Sequence, residues 1–411
     1  MPQYLAPGVY VEEVPAQARP IAGVGTSTAG FIGLVADDVT MPFKPGHPLD
    51  PNSIVAADRY TVAAAKTPVF LTGWEQFKNQ FGDFTEKNNA GTVVANNNNV
   101  LANAVYGFFN NGGTACWVIR VNSTADADWV DPANLLAKFA ALEDIAIVAF
   151  PGATTSVQQD ALIDHCENLQ SRTCILDGLE NSGTGANTVA AIKGSTRNSD
   201  FAAMYFPWIQ VFDPATFLTT PSTNGLVYRP PSGHIAGVYA RVDSTRGVFK
   251  APANEVILGA VDVEFRLTKA DQTVLNPPGI NVIRSFDGDI TIFGARTLGG
   301  DANPNKYIST RRFLNFLRES IERGTQFVVF EPNNPALWQR IIRSVSDFLL
   351  GQWRDGALFG ETAKQAFFVK CDEDTNPPDV RDAGQVVTEI GVAITKPAEF
   401  VIFRIQQITG S

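Results

Sequence analysis

The first residues of the chain, Tyr4-Leu-Ala-Pro-Gly-Val-Tyr-Val-Glu-Glu-Val14, constrain its fold more than any other stretch. Prolines at positions 2, 7, 15 and 20 exclude a helix there, and the run after Gly8 consists of β-favouring residues. The sequence therefore predicts an extended strand here, with no partner strand next to it in the sequence. Such an arm must pair with a sheet edge elsewhere, so we expect strand exchange between subunits through Val9, Tyr10, Val11 and Glu12.

A second strand-like run, Phe400-Val-Ile-Phe-Arg-Ile-Gln-Gln-Ile408, lies near the other end of the chain. Because strand side chains alternate between two faces, Val401, Phe403 and Ile405 share one face, and Arg404 and Gln406 share the other. We expect this run to be exchanged between subunits as well. The residues predicted to take part are Phe400, Val401, Ile402, Phe403 and Ile405.

A set of motifs follows in a fixed order along nearly the whole chain. After the N-terminal stretch come Arg19-Pro-Ile21, Gly23-Val-Gly-Thr-Ser-Thr28, Phe31-Ile-Gly33, Tyr205-Phe-Pro-Trp208, Pro230-Pro-Ser-Gly-His-Ile-Ala-Gly-Val-Tyr-Ala-Arg241, Gly247-Val-Phe-Lys-Ala-Pro-Ala-Asn254, Gly294-Ala-Arg-Thr-Leu298, Tyr307-Ile-Ser-Thr-Arg-Arg312, Val329-Phe-Glu-Pro-Asn333, Gly356-Ala-Leu-Phe-Gly360 and Lys396-Pro-Ala-Glu-Phe400. In this order the motifs closely resemble those of contractile phage tail sheath proteins. Only residues of about 36–68 and 180–200 lack the resemblance.

The resemblance implies a structural subunit that is not an enzyme and needs no cofactor. Such subunits would form a homo-oligomer of stacked hexameric rings, a helical sheath around an inner tube, and contract to drive the tube through a target envelope. The implied partners are other copies of the chain, the inner tube protein, and baseplate and terminal cap proteins. A non-contractile self-assembling protein and a type VI secretion-like sheath are the alternatives. Both arms on one chain favour a single-chain sheath, as in a phage tail, a tailocin or an extracellular contractile injection system.

Composition excludes several other classes of protein. With 411 residues, 45% of them hydrophobic, the chain is long enough for two or three domains with apolar cores. A net charge of −10 without any basic run argues against nucleic-acid binding. No signal peptide or long apolar stretch is evident, so we expect synthesis in the cytoplasm without direct membrane insertion. The four scattered cysteines are expected to be buried, reduced thiols.

Patterning predicts an α/β fold followed by an α+β fold. Strands at 29–35, 116–121, 145–150, 173–176 and 203–212 alternate with helices at 74–82, 100–109, 132–142 and 157–170, which indicates a mainly parallel sheet covered by helices. Later come helices at 310–323 and 335–352, and strands at 326–330, 366–370 and 386–394. We therefore predict an arm at 1–20, an outer α/β domain at 21–229 with an insertion near 37–68, an inner domain at 230–395 and a second arm at 396–411.

Enzymatic and metal-binding interpretations find little support in the sequence. The chain has three histidines and no GxSxG elbow, and Pro231-Ser-Gly-His234 is better explained as a tight turn than as Ser/His chemistry. No glycine-rich loop carries a complete nucleotide-binding motif. The acidic loop Cys371–Asp382 lacks the central Gly and terminal Glu of an EF-hand, so a solvated turn is favoured over a calcium site.

The helix that begins at Pro335 offers one candidate interaction face. Its apolar stripe consists of Leu337, Ile341, Val345, Phe348 and Leu349, whereas Arg340, Arg343 and Asp347 fall on another face. A solvated face with a weak intrahelical ion pair is one interpretation. The other comes from the resemblance, in which the corresponding helix faces the inner tube, so that the two arginines would contact tube carboxylates.

Overall fold

The computed structural model of the protein describes residues 20–46, 55–84, 98–122, 129, 135–180, 188–219 and 221–404. The predicted arm residues Val9, Tyr10, Val11, Glu12 and Ile405 lie outside these ranges. The described chain forms two compact units: a larger one of residues 24–318 and 396–404, and a smaller one of residues 20–23 and 319–395. Residues 230–318, which are predicted from the sequence to belong to an inner domain, therefore lie in the larger unit.

A nine-stranded sheet organises the larger unit. In spatial order its strands are Val69–Leu71, Cys116–Val121, Ala29–Leu34, Ile147–Ala149, Thr173–Asp177, Ala202–Phe206, Ile280–Phe286, Asp289–Ile292 and Glu255–Val256. The second to seventh strands in this order are parallel, and antiparallel strands complete both sides. The predicted parallel sheet is confirmed, and Ile280–Phe286 extends it beyond the predicted boundary at residue 230.

Both faces of this sheet are buried, as its apolar strands require. Alternation along Ala29–Leu34 sends Phe31 into one apolar core and Ile32 into the other. Helices cover the two faces. Those of the larger unit are Trp74–Phe81, Asn98–Asn110, Ala137–Ala140, Ser156–Leu169, Val189–Lys193, Pro214–Thr219, Ser232–Arg246, Lys269–Leu275 and the first part of Ile308–Gly324. None of the described helices is long and apolar enough to cross a membrane.

The predicted strand at 203–212 is in fact two strands in different sheets. The chain leaves the large sheet after Phe206, and Ile209–Phe212 becomes the central strand of a separate antiparallel sheet. The neighbours of this strand are Leu226–Arg229 and Ala260–Val263. The break falls at Pro207, which has no N–H to donate to a ladder.

The predicted turn at 230–233 is also wrong, because helix Ser232–Arg246 begins there. Two glycines let this helix approach helix Asn98–Asn110 closely. A Cβ atom at Gly233 would lie 2.4 Å from the Ala104 carbonyl oxygen, and one at Gly237 would lie 2.4 Å from the Phe108 carbonyl oxygen. The glycines that lower helix propensity in the sequence are thus required by tertiary packing.

The smaller unit contains a long helix, Pro335–Arg354, and a two-stranded antiparallel sheet of Phe367–Lys370 and Glu389–Val392. The smaller unit also contains short helices at Ala363–Ala366 and Pro378–Asp382. The long helix begins as predicted, because the Asn334 side chain accepts a hydrogen bond from the Leu337 amide and Pro335 occupies the first turn.

The predicted strand at 326–330 is wrong: Gln326–Val328 is a 3₁₀ helix that follows helix Ile308–Gly324. The run Phe-Val-Val-Phe is apolar enough for a buried strand, but it is not buried here. Val329 is exposed, and Phe330 is fully exposed with a left-handed backbone (φ 65°). Short apolar runs do not by themselves distinguish a strand from a turn.

A buried ion pair joins two helices of the larger unit. The Arg312 guanidinium donates to both carboxylate oxygens of Asp243, at 2.8 and 2.5 Å, and the two side chains are 3% and 4% exposed. The Thr26 hydroxyl donates to Asp243, and the Thr26 carbonyl accepts from Arg312. Arg312 also lies over the Tyr239 ring, 4.7 Å from its centroid. All the charged atoms thus have close partners.

Candidate assembly surfaces

The C-terminal segment presents an unusual apolar surface. Phe400, Val401, Ile402 and Phe403 are 71%, 69%, 78% and 84% exposed, and residues 396–404 have no regular secondary structure. A strand requires a partner for its backbone ladder, and none pairs with these residues in the described single chain. The strand predicted from Phe400 onward stays a prediction for the assembled protein.

The two-stranded sheet of the smaller unit has a strand neighbour on one side of each strand only, within the part of the chain that the structure describes. Phe368 is 56% exposed and stands opposite Gly391. A Cβ atom at Gly391 would lie 2.0 Å from the Phe368 ring, so the ring lies directly over the glycine. A short sheet with unpaired outer edges and an exposed aromatic side chain is a candidate acceptor for a further strand.

The predicted stripe on helix Pro335–Arg354 is confirmed, since every one of its five apolar members is buried. The charged face is separate from the stripe, because Arg343 and Asp347 are exposed and Arg340 is half-buried. Arg340 pairs with Glu331 at 3.2 Å and lies over the Phe327 ring, 5.2 Å from its centroid. Arg343 donates from Nε to the Gln339 carbonyl at 3.2 Å.

This charged face extends onto the loop before the helix, beyond the three residues predicted from the sequence. Glu331 is the ion-pair partner of Arg340 and directly follows the fully exposed Phe330. Phe330 is unfavourable in two respects: its backbone has a positive φ, which non-glycine residues rarely adopt, and its aromatic ring is exposed to water. The combination marks this loop as part of the exposed surface around Arg340. The only feature of the sequence that points to this loop is the apolar run at 326–330.

The Ser232 and His234 pair does not form a nucleophile and base. Ser232 lies at the start of its helix, and its hydroxyl and amide donate to the buried carboxylate of Asp177, at 2.7 and 2.9 Å. Gly152 donates its amide to the same carboxylate at 3.0 Å. His234 is buried against helix Asn98–Asn110, and burial lowers its pKa to about 4. Asp177 thus caps a helix N-terminus.

Burial also makes Asp177 sensitive to pH. Loss of hydration raises the pKa of Asp177 from its ordinary value of 3.8 to about 6, against the opposing effect of hydrogen bonds from Gly152 and Ser232. The folded protein therefore binds a proton more tightly at this group than the unfolded chain does. Its contribution to stability is present below pH 4 and is lost as the pH rises through 6.

We expect Asp177→Asn, which imitates the protonated acid, to remove this pH dependence. Relative to the variant, the native protein should lose about 2 kcal/mol of unfolding free energy between pH 4 and 7, because the full shift corresponds to about 3 kcal/mol at 1.36 kcal/mol per pKa unit and part of it is already lost at pH 4. Urea unfolding of both proteins at several pH values measures the difference and cancels groups common to both, including the histidines. Parallel stability curves would contradict a pKa of Asp177 that lies above its ordinary value.

No metal site accompanies these surfaces in the described ranges, where no three His, Cys, Asp or Glu side chains are arranged to hold an ion. In the acidic loop, Asp372 accepts hydrogen bonds from the amides of Asp374 and Thr375, and Lys370 pairs with Asp374. These are local turn contacts. The buried Asn376 bonds the loop to the Val387 backbone in both directions, so its amide fixes the loop between the two strands.

Comparison with known proteins identifies two consecutive domains. The phage tail sheath protein central domain matches residues 128–298, and the phage tail sheath C-terminal domain matches residues 301–408. The tail sheath protein of Burkholderia phage BcepMu is 26% identical over 211 residues, which cover 49% of this chain and 42% of that protein. The chain thus spans less than half the length of this curated relative.

Two solved structures align with nearly the whole chain. The helical sheath of the anti-feeding prophage (AFP) in the contracted state is 27% identical, with a TM-score of 0.73, and the alignment covers 98% of this chain and 99% of that one. The PVC sheath complex of an extracellular contractile injection system, also contracted, is 26% identical with a TM-score of 0.73. That alignment covers 99% of both chains.

Proposed function

Because this chain belongs to the contractile tail sheath family, we propose that it polymerises as stacked rings around an inner tube and contracts to drive the tube through a target envelope. The observation that carries the proposal is the alignment, along almost the entire chain, with sheaths solved in the contracted state. The particle would be a phage tail or a phage tail-like injection system. A sheath of a type VI-like system and a non-contractile polymer are the alternatives.

Strand exchange would link the copies. Exposed Phe400 to Phe403 offer an apolar strand, and the two-stranded sheet of the smaller unit offers unpaired edges. Each ladder hydrogen bond contributes about 0.5–1.5 kcal/mol net, and each large apolar side chain that becomes buried contributes about 1.5–3 kcal/mol. Several such contacts would hold neighbouring copies together while their domains move. The N-terminal arm would supply a second link of the same kind.

Contraction would draw on energy stored in the extended lattice. A sheath of identical subunits with two packing arrangements can pass from a metastable state to a more stable one without a nucleotide. The named relatives are structural tail sheath proteins, which supports a role without catalysis or a cofactor. Baseplate and cap proteins would fix the two ends of the sheath.

The inner tube would contact the charged face of helix Pro335–Arg354. Arg343 is exposed, and Arg340 lies on the same charged face in an ion pair with Glu331, so this face carries two guanidinium groups on an acidic protein. Exposed ion pairs contribute about 0–1 kcal/mol each. Many weak pairs along a sheath would align it on the tube and still allow release.

We expect Arg340→Glu with Arg343→Glu to prevent assembly of extended sheath on the tube. The reversed charges would repel tube carboxylates, whereas the buried stripe of the helix is unchanged. Electron microscopy of the chain coexpressed with its tube and baseplate measures the fraction of extended particles. A matched control is Lys44→Glu with Lys138→Glu, which makes the same charge change at exposed lysines of the larger unit.

The native chain and the control should form extended particles that shorten without added ATP or GTP. Extended particles at native frequency from the arginine variant would show that this helix face is only solvated surface. Tubes that never shorten would favour the non-contractile alternative, and the absence of any ordered polymer from the native chain would contradict the proposed function itself.

A further inference from the structure

The residue just before the exposed apolar segment is held by an unusually complete set of donors. Glu399 accepts hydrogen bonds on Oε1 from Arg296 Nε at 2.8 Å and from Asn276 Nδ2 at 2.7 Å. On Oε2 it accepts from Arg296 Nη2 at 2.8 Å and from the Tyr307 hydroxyl at 3.1 Å. Four donors on one carboxylate, two of them from a guanidinium in bidentate geometry, make a strong and directional anchor.

The donors are themselves fixed to the large sheet. The Arg296 side chain is only 5% exposed and also pairs with Asp301 at 2.8 Å. Its backbone amide donates to the Asn281 side chain, and its backbone carbonyl accepts from that same side chain, both at 2.7 Å. Asn281 is fully buried in strand Ile280–Phe286 and also donates to the Met204 carbonyl of the neighbouring strand. These contacts therefore connect Glu399 to two neighbouring parallel strands of the sheet.

A sharp change in environment follows Glu399. Its side chain is 20% exposed, whereas the next four side chains are between 69% and 84% exposed. Burying Phe400 to Phe403 against their own subunit would be favourable, at about 0.8 kcal/mol per CH₂ group. If the segment moved freely, Phe400 to Phe403 would therefore tend to pack against apolar groups of their own subunit. An anchored root restricts which contacts the segment can reach.

We propose that Glu399, Arg296, Asn276 and Tyr307 form the root of the C-terminal arm and that Glu399 is its positioning residue, directing Phe400 to Phe403 away from their own subunit toward a second copy of the chain. This inference rests on the proposed strand exchange. It adds that the direction of the arm is fixed within the subunit before any partner binds.

The carboxylate of Glu399 keeps its charge over a wide range of pH. Burial alone would raise the pKa of Glu399, but hydrogen bonds from Arg296 and Asn276 outweigh it and hold that pKa below its ordinary value. The carboxylate therefore stays charged, and the bidentate pair stays formed, in mildly acidic solution. An arm root of this kind does not depend on assembly for its charge balance.

Spin labels can measure the direction of the arm in the full chain before it assembles. All four native cysteines are buried, so labels would attach selectively to Ile402→Cys and to Lys269→Cys, at exposed positions in the larger unit. Pulsed electron paramagnetic resonance on the unassembled fraction then reports the distribution of the distance between the labels. We expect a narrow distribution in the native background and one about twice as wide or wider in Glu399→Gln.

Sedimentation and electron microscopy of the unlabelled proteins measure the consequence for assembly. We expect Glu399→Gln to reduce the assembled fraction about tenfold, and Tyr307→Phe, which removes one donor, to have a smaller effect in the same direction. The comparison is Asp301→Asn, which removes the other carboxylate on Arg296 but leaves every hydrogen bond to Glu399 in place, and its effect on the distance distribution and on assembly should be much smaller than that of Glu399→Gln. An equal effect of Asp301→Asn would show that general disturbance around Arg296, rather than the arm root, is responsible.

Deletion of residues 400–411 separates this inference from strand exchange itself. Normal assembly of the truncated chain would overturn C-terminal exchange and with it the role of the root. Failure of the truncated chain, combined with native distances and native assembly in Glu399→Gln, would overturn the root alone. If Glu399→Gln does not fold, Tyr307→Phe decides: unchanged label distances and unchanged assembly in that variant would also overturn the root.

Discussion

Deletion of residues 1–14 is expected to abolish polymerisation and leave a folded protein. The described members of both apolar cores begin at Ala29, so the deletion removes none of them. The deleted stretch consists of β-favouring residues and prolines, from which the sequence predicts a strand that pairs outside its own sequence neighbourhood. Loss of several ladder hydrogen bonds and of buried Val9 and Val11 from every contact would exceed what the remaining weak contacts can replace.

The measurement compares the deleted and full-length chains by electron microscopy and by circular dichroism. Val11→Pro tests the mechanism more finely, because proline removes a ladder donor without shortening the arm. We expect it to impair polymerisation as the deletion does, whereas Glu13→Gln, which keeps a similar shape and strand propensity and lies outside the residues predicted to exchange, should polymerise. Ordered tubes of full length from the deleted chain would eliminate N-terminal strand exchange.

Replacement of Arg312 by alanine is expected to cost about 3–5 kcal/mol of unfolding free energy. The variant leaves the Asp243 carboxylate 4% exposed, with only the Thr26 hydroxyl as a remaining partner among the contacts described above. Total stabilities of folded domains are about 5–15 kcal/mol, so this loss would remove a large fraction of the stability of the larger unit. Urea unfolding followed by circular dichroism measures the change.

Two further variants isolate the buried charge as the cause. Arg318→Ala changes an exposed arginine of the same helix and should alter the unfolding free energy by about 0.5 kcal/mol or less. The double variant Arg312→Leu with Asp243→Leu should be more stable than Arg312→Ala, because no unpaired charge remains buried. A single-variant cost below about 1 kcal/mol would mean that water or a neighbouring group replaces the lost partner.

Much of the local structure follows from residue order. The 3.6-residue period of Leu337, Ile341 and Val345 predicts both the helix and its buried face, since a helix in contact with a core needs one apolar stripe. Continuous apolar runs such as Ala29–Leu34 indicate strands covered on both faces, and the sheet has this arrangement. The motif order identifies the family because it reflects the whole chain rather than one short string.

Tertiary contacts decide what the residue pattern leaves open. Gly233 and Gly237 disfavour a helix locally, but close packing against helix Asn98–Asn110 requires them. The apolar run that ends at Phe330 has the composition of a strand, yet none of the described strands pairs with it. Sequence alone therefore determines the periodic elements and the family. The pairing of Glu399 with Arg296, separated by 103 positions, depends on the folded sheet, because no local rule relates residues so far apart.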